Sequence, residues 1–173
     1  MSIAWALLLL RVIVGVTLIG HGTQKAFGWF GGPGYAKLQQ GFRAQGYRPV
    51  QLWTGLVILG EVGGGLSLVF GLLTPLGAAG ALGAMVMAVK MHWSKGFFSA
   101  KGGFEYPLAL AAMSVAVGLA GAGAYSLDAL QGITLPQPLF AILALAAIIV
   151  DVIGMLITRS AAATSQSGKA HAA

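Results

Sequence analysis

The chain has 173 residues, of which 57% are hydrophobic and only 8% are charged. A soluble domain usually carries about 25% charged residues, so this deficit, with a mean hydropathy of +0.85, excludes an ordinary soluble fold and indicates an integral membrane protein. Cysteine is absent, which excludes a disulfide, thiol chemistry and a cysteine-held iron–sulfur cluster within this chain.

Five apolar segments are candidate membrane spans, at about 3–20, 50–71, 76–93, 105–121 and 137–158. A spanning helix needs roughly 20 apolar residues, so the third and fourth segments are near the lower limit. We interpret the first as a retained helix, because it lacks the basic start of a signal peptide and Arg11 interrupts it. The sequence thus predicts an all-α, polytopic membrane helix bundle that forms one domain over residues 1–159.

The connecting segments carry weaker signals. Tyr35, Leu38 and Phe42 recur at helical spacing among polar residues, which predicts a short interfacial helix at about 34–45. Ser126 is a candidate N-cap of a helix in the loop after the fourth span. Residues 160–173 are rich in Ala, Ser and Thr without periodicity, so we expect a disordered tail.

The basic residues predict the topology. The net charge is +6. Of the lysines and arginines, all except Arg11 lie in the first long connection, at or after the end of the third span, or after the fifth span, which is one side of a five-span bundle. The opposite side carries only Asp128. By the positive-inside rule the N-terminus is outside and the C-terminus is cytoplasmic.

Two carboxylates lie within spans. Glu61 is near the middle of the second span, where an unpaired charge is costly. Arg11 is its natural partner, because each lies about ten residues from the same end of its span and the depths differ by only a few ångströms. The pair could line a polar pocket or could only fix helix register. Asp151 in the fifth span should point inward, towards a polar partner that the sequence does not identify.

A second cluster should form where the first and third spans end and the fourth begins. Imidazole, ammonium and carboxyl groups at one depth suit a site that binds a carbonyl or anionic head group and moves protons. The same residues could instead be interfacial histidines and snorkelling lysines. A haem or metal site is not favoured, because no C-x-x-C-H motif is present. The cluster comprises His21, Lys25, Lys90, His92 and Glu105.

Six short motifs follow one another over roughly residues 5–128. In order they are LLRVIVG around Arg11, GHGTQK with His21 and Lys25, EVGGGL from Glu61, GLLT at residues 71–74, GFE with Glu105, and GAGAYSLD at residues 121–128. With these motifs the chain resembles the DoxX family of small bacterial membrane proteins. The resemblance implies a four-helix membrane bundle, which this chain exceeds by a fifth span, so Asp151 and the tail have no family interpretation.

The family resemblance also implies a role near redox chemistry. Relatives are associated with thiosulfate oxidation coupled to quinone, or with membrane oxidoreductase complexes that handle thiol or oxidative stress. Residue by residue, the resemblance points to Arg11, His21, Lys25, Glu61 and Glu105. It implies a location in the bacterial cytoplasmic (inner) membrane.

The prediction that follows is a multi-pass membrane subunit of a redox system, which binds quinone or a similar apolar carbonyl ligand and works with a partner oxidoreductase. The alternative is a non-catalytic anchor or scaffold for a cytoplasmic oxidoreductase complex. The lipid bilayer is an expected partner, whereas nucleic acid, a metal ion and an intrinsic cofactor are not expected. Whether the protein forms homo-oligomers, and whether it catalyses a reaction, stay open. Candidate catalytic residues are His21, His92 and Glu105, and candidate ligand-binding residues are Arg11, His21, Lys25, Glu61, Lys90, His92 and Glu105.

Overall fold

A computed structural model describes residues 3–136 and 138–170, with the backbone alone for residues 159–170. Within these residues the chain is helical without strands. Four helices are long and apolar enough to cross a membrane, Ile3–Phe27, Val50–Phe70, Thr74–Lys95 and Leu139–Thr158, and Glu105–Ala120 is a shorter apolar helix. The protein is therefore an all-α polytopic membrane helix bundle.

The helices follow one another through short connections. The second apolar segment is a continuous helical rod, but a π-helical turn at Leu59–Gly63 interrupts its α-helical pattern. In chain order the α-helices are α1 (Ile3–Phe27), α2 (Gly34–Ala44), α3 (Val50–Ile58), α4 (Gly64–Phe70), α5 (Thr74–His92), α6 (Glu105–Ala120), α7 (Leu127–Leu130) and α8 (Leu139–Ala170).

Two helices run further than the sequence predicted. α1 was expected to end at residue 20 but continues through the polar segment to Phe27. Within this extension, the Thr23 hydroxyl donates a hydrogen bond to the carbonyl oxygen of Ile19. α8 continues through Ala170, whereas a disordered tail was expected from residue 160, and residues 171–173 lie outside the described residues. Alanine is the strongest helix former, and the run at 161–163 extends α8 without a break.

Local sequence signals explain several helix boundaries. Ser126 caps α7 as predicted, because its hydroxyl accepts a hydrogen bond from the backbone N–H of Ala129 at 3.1 Å. Gly71 ends α4 in the left-handed conformation, with φ at 62°, which glycine adopts without strain. Pro75 lies in the first turn of α5, where its missing N–H costs nothing.

Close glycine contacts set the register between helices. α5 packs against α4, α6 and α8, and α1 packs against α4. A Cβ built on Gly60 would come within 2.4 Å of the carbonyl oxygen of Gly80, and one on Gly15 within 2.6 Å of that of Gly65. No side chain fits at such distances. The small residues therefore act within this chain, where they hold α1, α4 and α5 at fixed offsets.

Candidate functional site

Glu61 forms an ion pair with Lys25. The glutamate lies in the π-helical turn and is 1% exposed. Nζ of Lys25, near the end of α1, donates to Oε1 of Glu61. Oε2 of Glu61 is buried and has no hydrogen-bond partner among the described residues. One carboxylate oxygen thus remains available to a further donor, and π-helical turns are frequent at functional sites.

The predicted pairing of Arg11 with Glu61 is wrong. A Cβ built on Gly22 would lie 3.1 Å from Cβ of Glu61, so this part of α1, one turn before Lys25, faces the glutamate. Arg11 lies three helical turns away, beside Gly71 at the end of α4. The error arose because depth was counted from a helix end predicted at residue 20, whereas glycine contacts set the actual register.

Arg11 is fully buried at the opposite end of the bundle. Its Nη2 donates to the carbonyl oxygen of Tyr125, and the Asp128 carboxylate acts on it through its charge. Asp128 in turn accepts hydrogen bonds from the backbone N–H groups of Leu73 at 2.8 Å and Thr74 at 3.2 Å. We call this cluster of Arg11, Gly71, Tyr125 and Asp128 the Arg11 end.

The Lys25–Glu61 pair borders a cavity of about 390 Å³ between α1, the π-helical turn, α5 and the start of α6. Such volumes are typical of small-molecule sites. We call this region, defined by Lys25, Glu61, His92 and Tyr106, the Lys25 end. The cavity is lined by His21, Lys25, Glu61, Met85, Ala88, His92, Ser99, Gly102, Gly103, Tyr106, Pro107 and Leu110.

Two imidazoles complete the polar side of this cavity. Nδ1 of His92 lies 2.7 Å from the carbonyl oxygen of Gly102. Because a carbonyl only accepts, Nδ1 carries the proton, and in the neutral ring Nε2 has the free lone pair. Nε2 of His21 lies 3.4 Å from the hydroxyl of Tyr106, and the two rings meet edge to face. The cavity therefore presents an ammonium, a carboxylate, two imidazoles and a phenol.

The structure thus brings together part of the predicted cluster. His21, Lys25 and His92 meet at one cavity, joined by Glu61. Lys90 is half-buried on α5 and does not line this cavity. Glu105 is exposed, does not line it either, and accepts a hydrogen bond from the backbone N–H of Ser99 at 3.0 Å. This contact closes the α5–α6 loop and holds the Glu105 carboxylate on Ser99.

Tyr106 is the lining residue that the sequence reasoning missed. It follows Glu105 in the first turn of α6 and was not distinguished from the other aromatic residues of the α5–α6 loop. The loop folds back on itself through a hydrogen bond from the Glu105 N–H to the carbonyl oxygen of Phe97 at 2.8 Å and a stacked Trp93–Phe104 pair. Its position in the sequence was a weak signal for a place in the cavity. A tyrosine one residue after the predicted start of the fourth span lies at the same membrane depth as His92 at the end of the third span.

The comparison with protein families decides the affiliation of the chain. The family model DoxX matches residues 6–93, which include Arg11, His21, Lys25, Glu61 and His92. The chain belongs to the DoxX family. The match ends before Glu105, Tyr106 and the loop at residues 121–128, so these parts of the DoxX protein lie outside the matched region. No curated protein and no solved structure matches the chain.

Membership in the DoxX family agrees with the architecture, because the matched region holds three of the long apolar helices. The protein is a multi-pass membrane protein. Across the described part of the chain, no group of three or more His, Asp or Glu side chains is arranged to hold a metal ion.

Proposed function

We propose that this DoxX protein binds a quinone, or a similar apolar compound with a ring carbonyl, in the cavity at the Lys25 end. It would act as a subunit of a redox system in the bacterial inner membrane, with the N-terminus outside. Reduction of a quinone takes two electrons and two protons, and the electrons would come from a partner oxidoreductase. One observation carries the proposal: a buried carboxylate with a free oxygen and its paired ammonium both line a cavity that also holds two imidazoles.

The groups around the cavity match what a quinone head needs. A carbonyl oxygen accepts hydrogen bonds, and Lys25, His21 and Tyr106 each carry a donor. The ring needs apolar contact, which Met85 and Leu110 supply from α5 and α6. Hydrogen bonds to a charged donor contribute about 1.5–3 kcal/mol. Lys25 should therefore dominate the binding of the head group.

Proton movement falls to the remaining polar groups. Glu61 has one oxygen without a partner, and His21 shares a polar contact with Tyr106. An imidazole ring can donate a proton from one nitrogen and accept one at the other, so His21 and His92 suit proton exchange between the cavity and the medium. Glu105 was the carboxylate expected to relay protons, and in this proposal Glu61 takes that role.

The test is equilibrium binding of menadione, a quinone ring without a tail, to the protein in lipid nanodiscs. Lys25→Met should weaken binding about tenfold or more, because it removes a charged donor. Lys90→Met is the matched control. It removes an ammonium from the last turn of α5, at the same end of the bundle as Lys25, but Lys90 does not line the cavity. This variant should change the Kd less than about twofold. Absence of saturable binding to the wild type, or equal Kd values for Lys25→Met and wild type, would contradict the proposal.

A scaffold for a cytoplasmic oxidoreductase is the second candidate. Exposed basic side chains favour it: Lys37 and Arg43 on α2 and Lys95 after α5 are all exposed. Across the described residues, none of the three forms an ion pair. In this case replacement of all three by alanine should release a partner from native membranes, while Lys25→Met should leave the complex intact.

A further inference from the structure

A second, larger cavity lies away from the Lys25 end. It has a volume of about 650 Å³ and is lined by residues of α3, the π-helical turn, α4, α5 and α8. Its wall is mostly glycine and aliphatic side chains, with Gly60, Gly64, Gly77, Gly80 and Gly83 among them. None of the groups proposed to bind quinone lines it. It is therefore a separate site and not an extension of the first.

Asp151 is the ionisable feature of this cavity. It is 7% exposed and lines the wall from α8. Its Oδ2 is buried without a hydrogen-bond partner among the described residues. Of the described residues that form the lining, Asp151 alone is ionisable and none is basic. A buried acid without a countercharge is costly at membrane depth, and such residues commonly mark a ligand or ion site.

An aromatic surface lies beside this carboxylate. Asp151 and Gly154 are three residues apart and so share one face of α8. A Cβ built on Gly154 would lie 2.2 Å from the indole of Trp53, which packs directly on this face and also lines the cavity. Tyr47 contacts Trp53 edge to face, with ring centroids 5.2 Å apart.

The Tyr47 phenol lies outside the apolar spans, and its oxygen has no hydrogen-bond partner among the described residues. Burial, with a smaller contribution from the Asp151 carboxylate, raises the pKa of this phenol. The raised pKa favours the neutral phenol, and because a phenol is never cationic, Tyr47 cannot offset the charge of an ionised Asp151.

The mouth of the cavity faces the lipid. Lining residues at its rim are large, apolar and strongly exposed, such as Leu59 at 67% and Phe70 at 54%. In a membrane bundle such side chains meet acyl chains. A ligand would enter from the bilayer, so most of its surface must be apolar.

From these observations we propose that the 650 Å³ cavity binds a hydrophobic organic cation. The body of the ligand fills the glycine-lined space, and its positive charge pairs with Asp151 beside the Trp53 indole. A carboxylate attracts a cation through its charge and an aromatic face attracts it through the ring quadrupole, and both attractions are stronger in an apolar setting than in water. This site is independent of the proposed quinone site.

The probes are tetraphenylphosphonium and tetraphenylborate, which have similar shape and opposite charge. Binding is measured by equilibrium dialysis of the protein in nanodiscs, with empty nanodiscs subtracted for partition into lipid. The phosphonium should bind saturably, and the borate should not bind or compete. Asp151→Asn should weaken phosphonium binding about thirtyfold or more, because one partner of a buried charge pair is lost. Glu105→Gln, which removes an exposed carboxylate that lines neither cavity, is the matched control and should have no effect.

A cavity-filling variant keeps the test independent of the carboxylate. A Cβ on Gly80 would have Gly60 Cα at 3.7 Å as its nearest neighbour, so Gly80→Leu can begin its side chain without a clash. This variant should abolish phosphonium binding while Asp151 is retained. Equal binding of the two probes, or unchanged phosphonium binding in both variants, would overturn the proposal, because the cavity would then hold a lipid chain or another helix. Lys25→Met should leave phosphonium binding unchanged, which separates this result from the fate of the quinone proposal.

Discussion

The two ends of the bundle each bury a basic side chain close to a carboxylate, but they use it differently. At the Arg11 end the guanidinium donates to the backbone of Tyr125, and Asp128 binds two backbone N–H groups at the start of α5. At the Lys25 end the ion pair lines a cavity with His21 and His92, and one oxygen of Glu61 has no partner. The first arrangement connects chain segments, whereas the second leaves polar groups available to a ligand.

This difference teaches that burial of charge alone does not indicate a binding site. Arg11 is more deeply buried than Lys25, whose side chain is 22% exposed. Arg11 nonetheless lines neither of the two cavities described above. What separates the two ends is the position of their unpartnered polar atoms. Nε and Nη1 of Arg11 are buried without a hydrogen-bond partner among the described residues and line neither cavity, whereas Oε2 of Glu61 belongs to a side chain that lines the cavity at the Lys25 end.

The largest effect is expected at the Arg11 end. Arg11→Met should lower the free energy of unfolding by roughly 3–5 kcal/mol, because it removes the countercharge of a buried carboxylate and the link to Tyr125. Unfolding by SDS in bicelles measures this loss. Arg11→Lys, the control, keeps the charge and should recover part of the stability. Wild-type stability of Arg11→Met would show that the two ends do not differ in this way.

At the Lys25 end, stability and binding should separate. Lys25→Met leaves Glu61 buried without its partner, at a cost of about 1–3 kcal/mol. The double variant Lys25→Met/Glu61→Gln should recover most of that stability, because no unpaired carboxylate remains. It should not recover menadione binding, because the charged donor is still absent. Recovery of both properties together would mean that Lys25 acts on the ligand only through the fold.

The sequence predicted the helical bundle better than it predicted the contacts within it. The length and composition of apolar segments directly indicate membrane-spanning helices, so the helical bundle was expected. Which residues of two helices face each other depends on where their backbones come close together. Hydropathy does not predict the close contacts between Gly15 and Gly65 or between Gly60 and Gly80. For this reason Arg11 was assigned to Glu61.

Part of the candidate site followed from the sequence for a physical reason. His21 and Lys25 lie near the C-terminal end of α1, and His92 lies at the C-terminal end of α5. Because these helices are the first and third spans, the alternating direction of the spans alone places the three residues at one end of the bundle. The π-helical turn that holds Glu61 is not indicated by hydropathy or by the spacing of apolar residues. Tyr106 depends on how the α5–α6 loop folds back, which the spacing of aromatic residues does not reveal.

A smaller effect is expected for Asp128→Asn. The aspartate accepts hydrogen bonds from the N–H groups of Leu73 and Thr74 with separate oxygens, whereas asparagine has one carbonyl oxygen. The loss should be about 1 kcal/mol, as for other helix N-terminal caps. Thermal unfolding followed by circular dichroism measures it, and menadione affinity should be unchanged. A change in affinity without a change in stability would place Asp128 in the functional role that we assign to the Lys25 end.

The smallest effect is expected for Glu105→Gln. The side chain is exposed, and glutamine can still accept the hydrogen bond from the Ser99 N–H. Stability should change by no more than about 0.5 kcal/mol, and the menadione Kd should match that of wild type. A tenfold loss of binding would restore Glu105 to the site from which its position excludes it.

Photoaffinity labelling tests most directly whether the ligand binds at the Lys25 end. A photoreactive azidoquinone is crosslinked to the protein in nanodiscs, and the labelled residues are identified by mass spectrometry. We predict labels on α5 near His92 and on α6 near Tyr106, suppressed by excess menadione. Suppressible labels at residues 121–128, beside Arg11, would contradict the account, as would labels that excess menadione does not reduce.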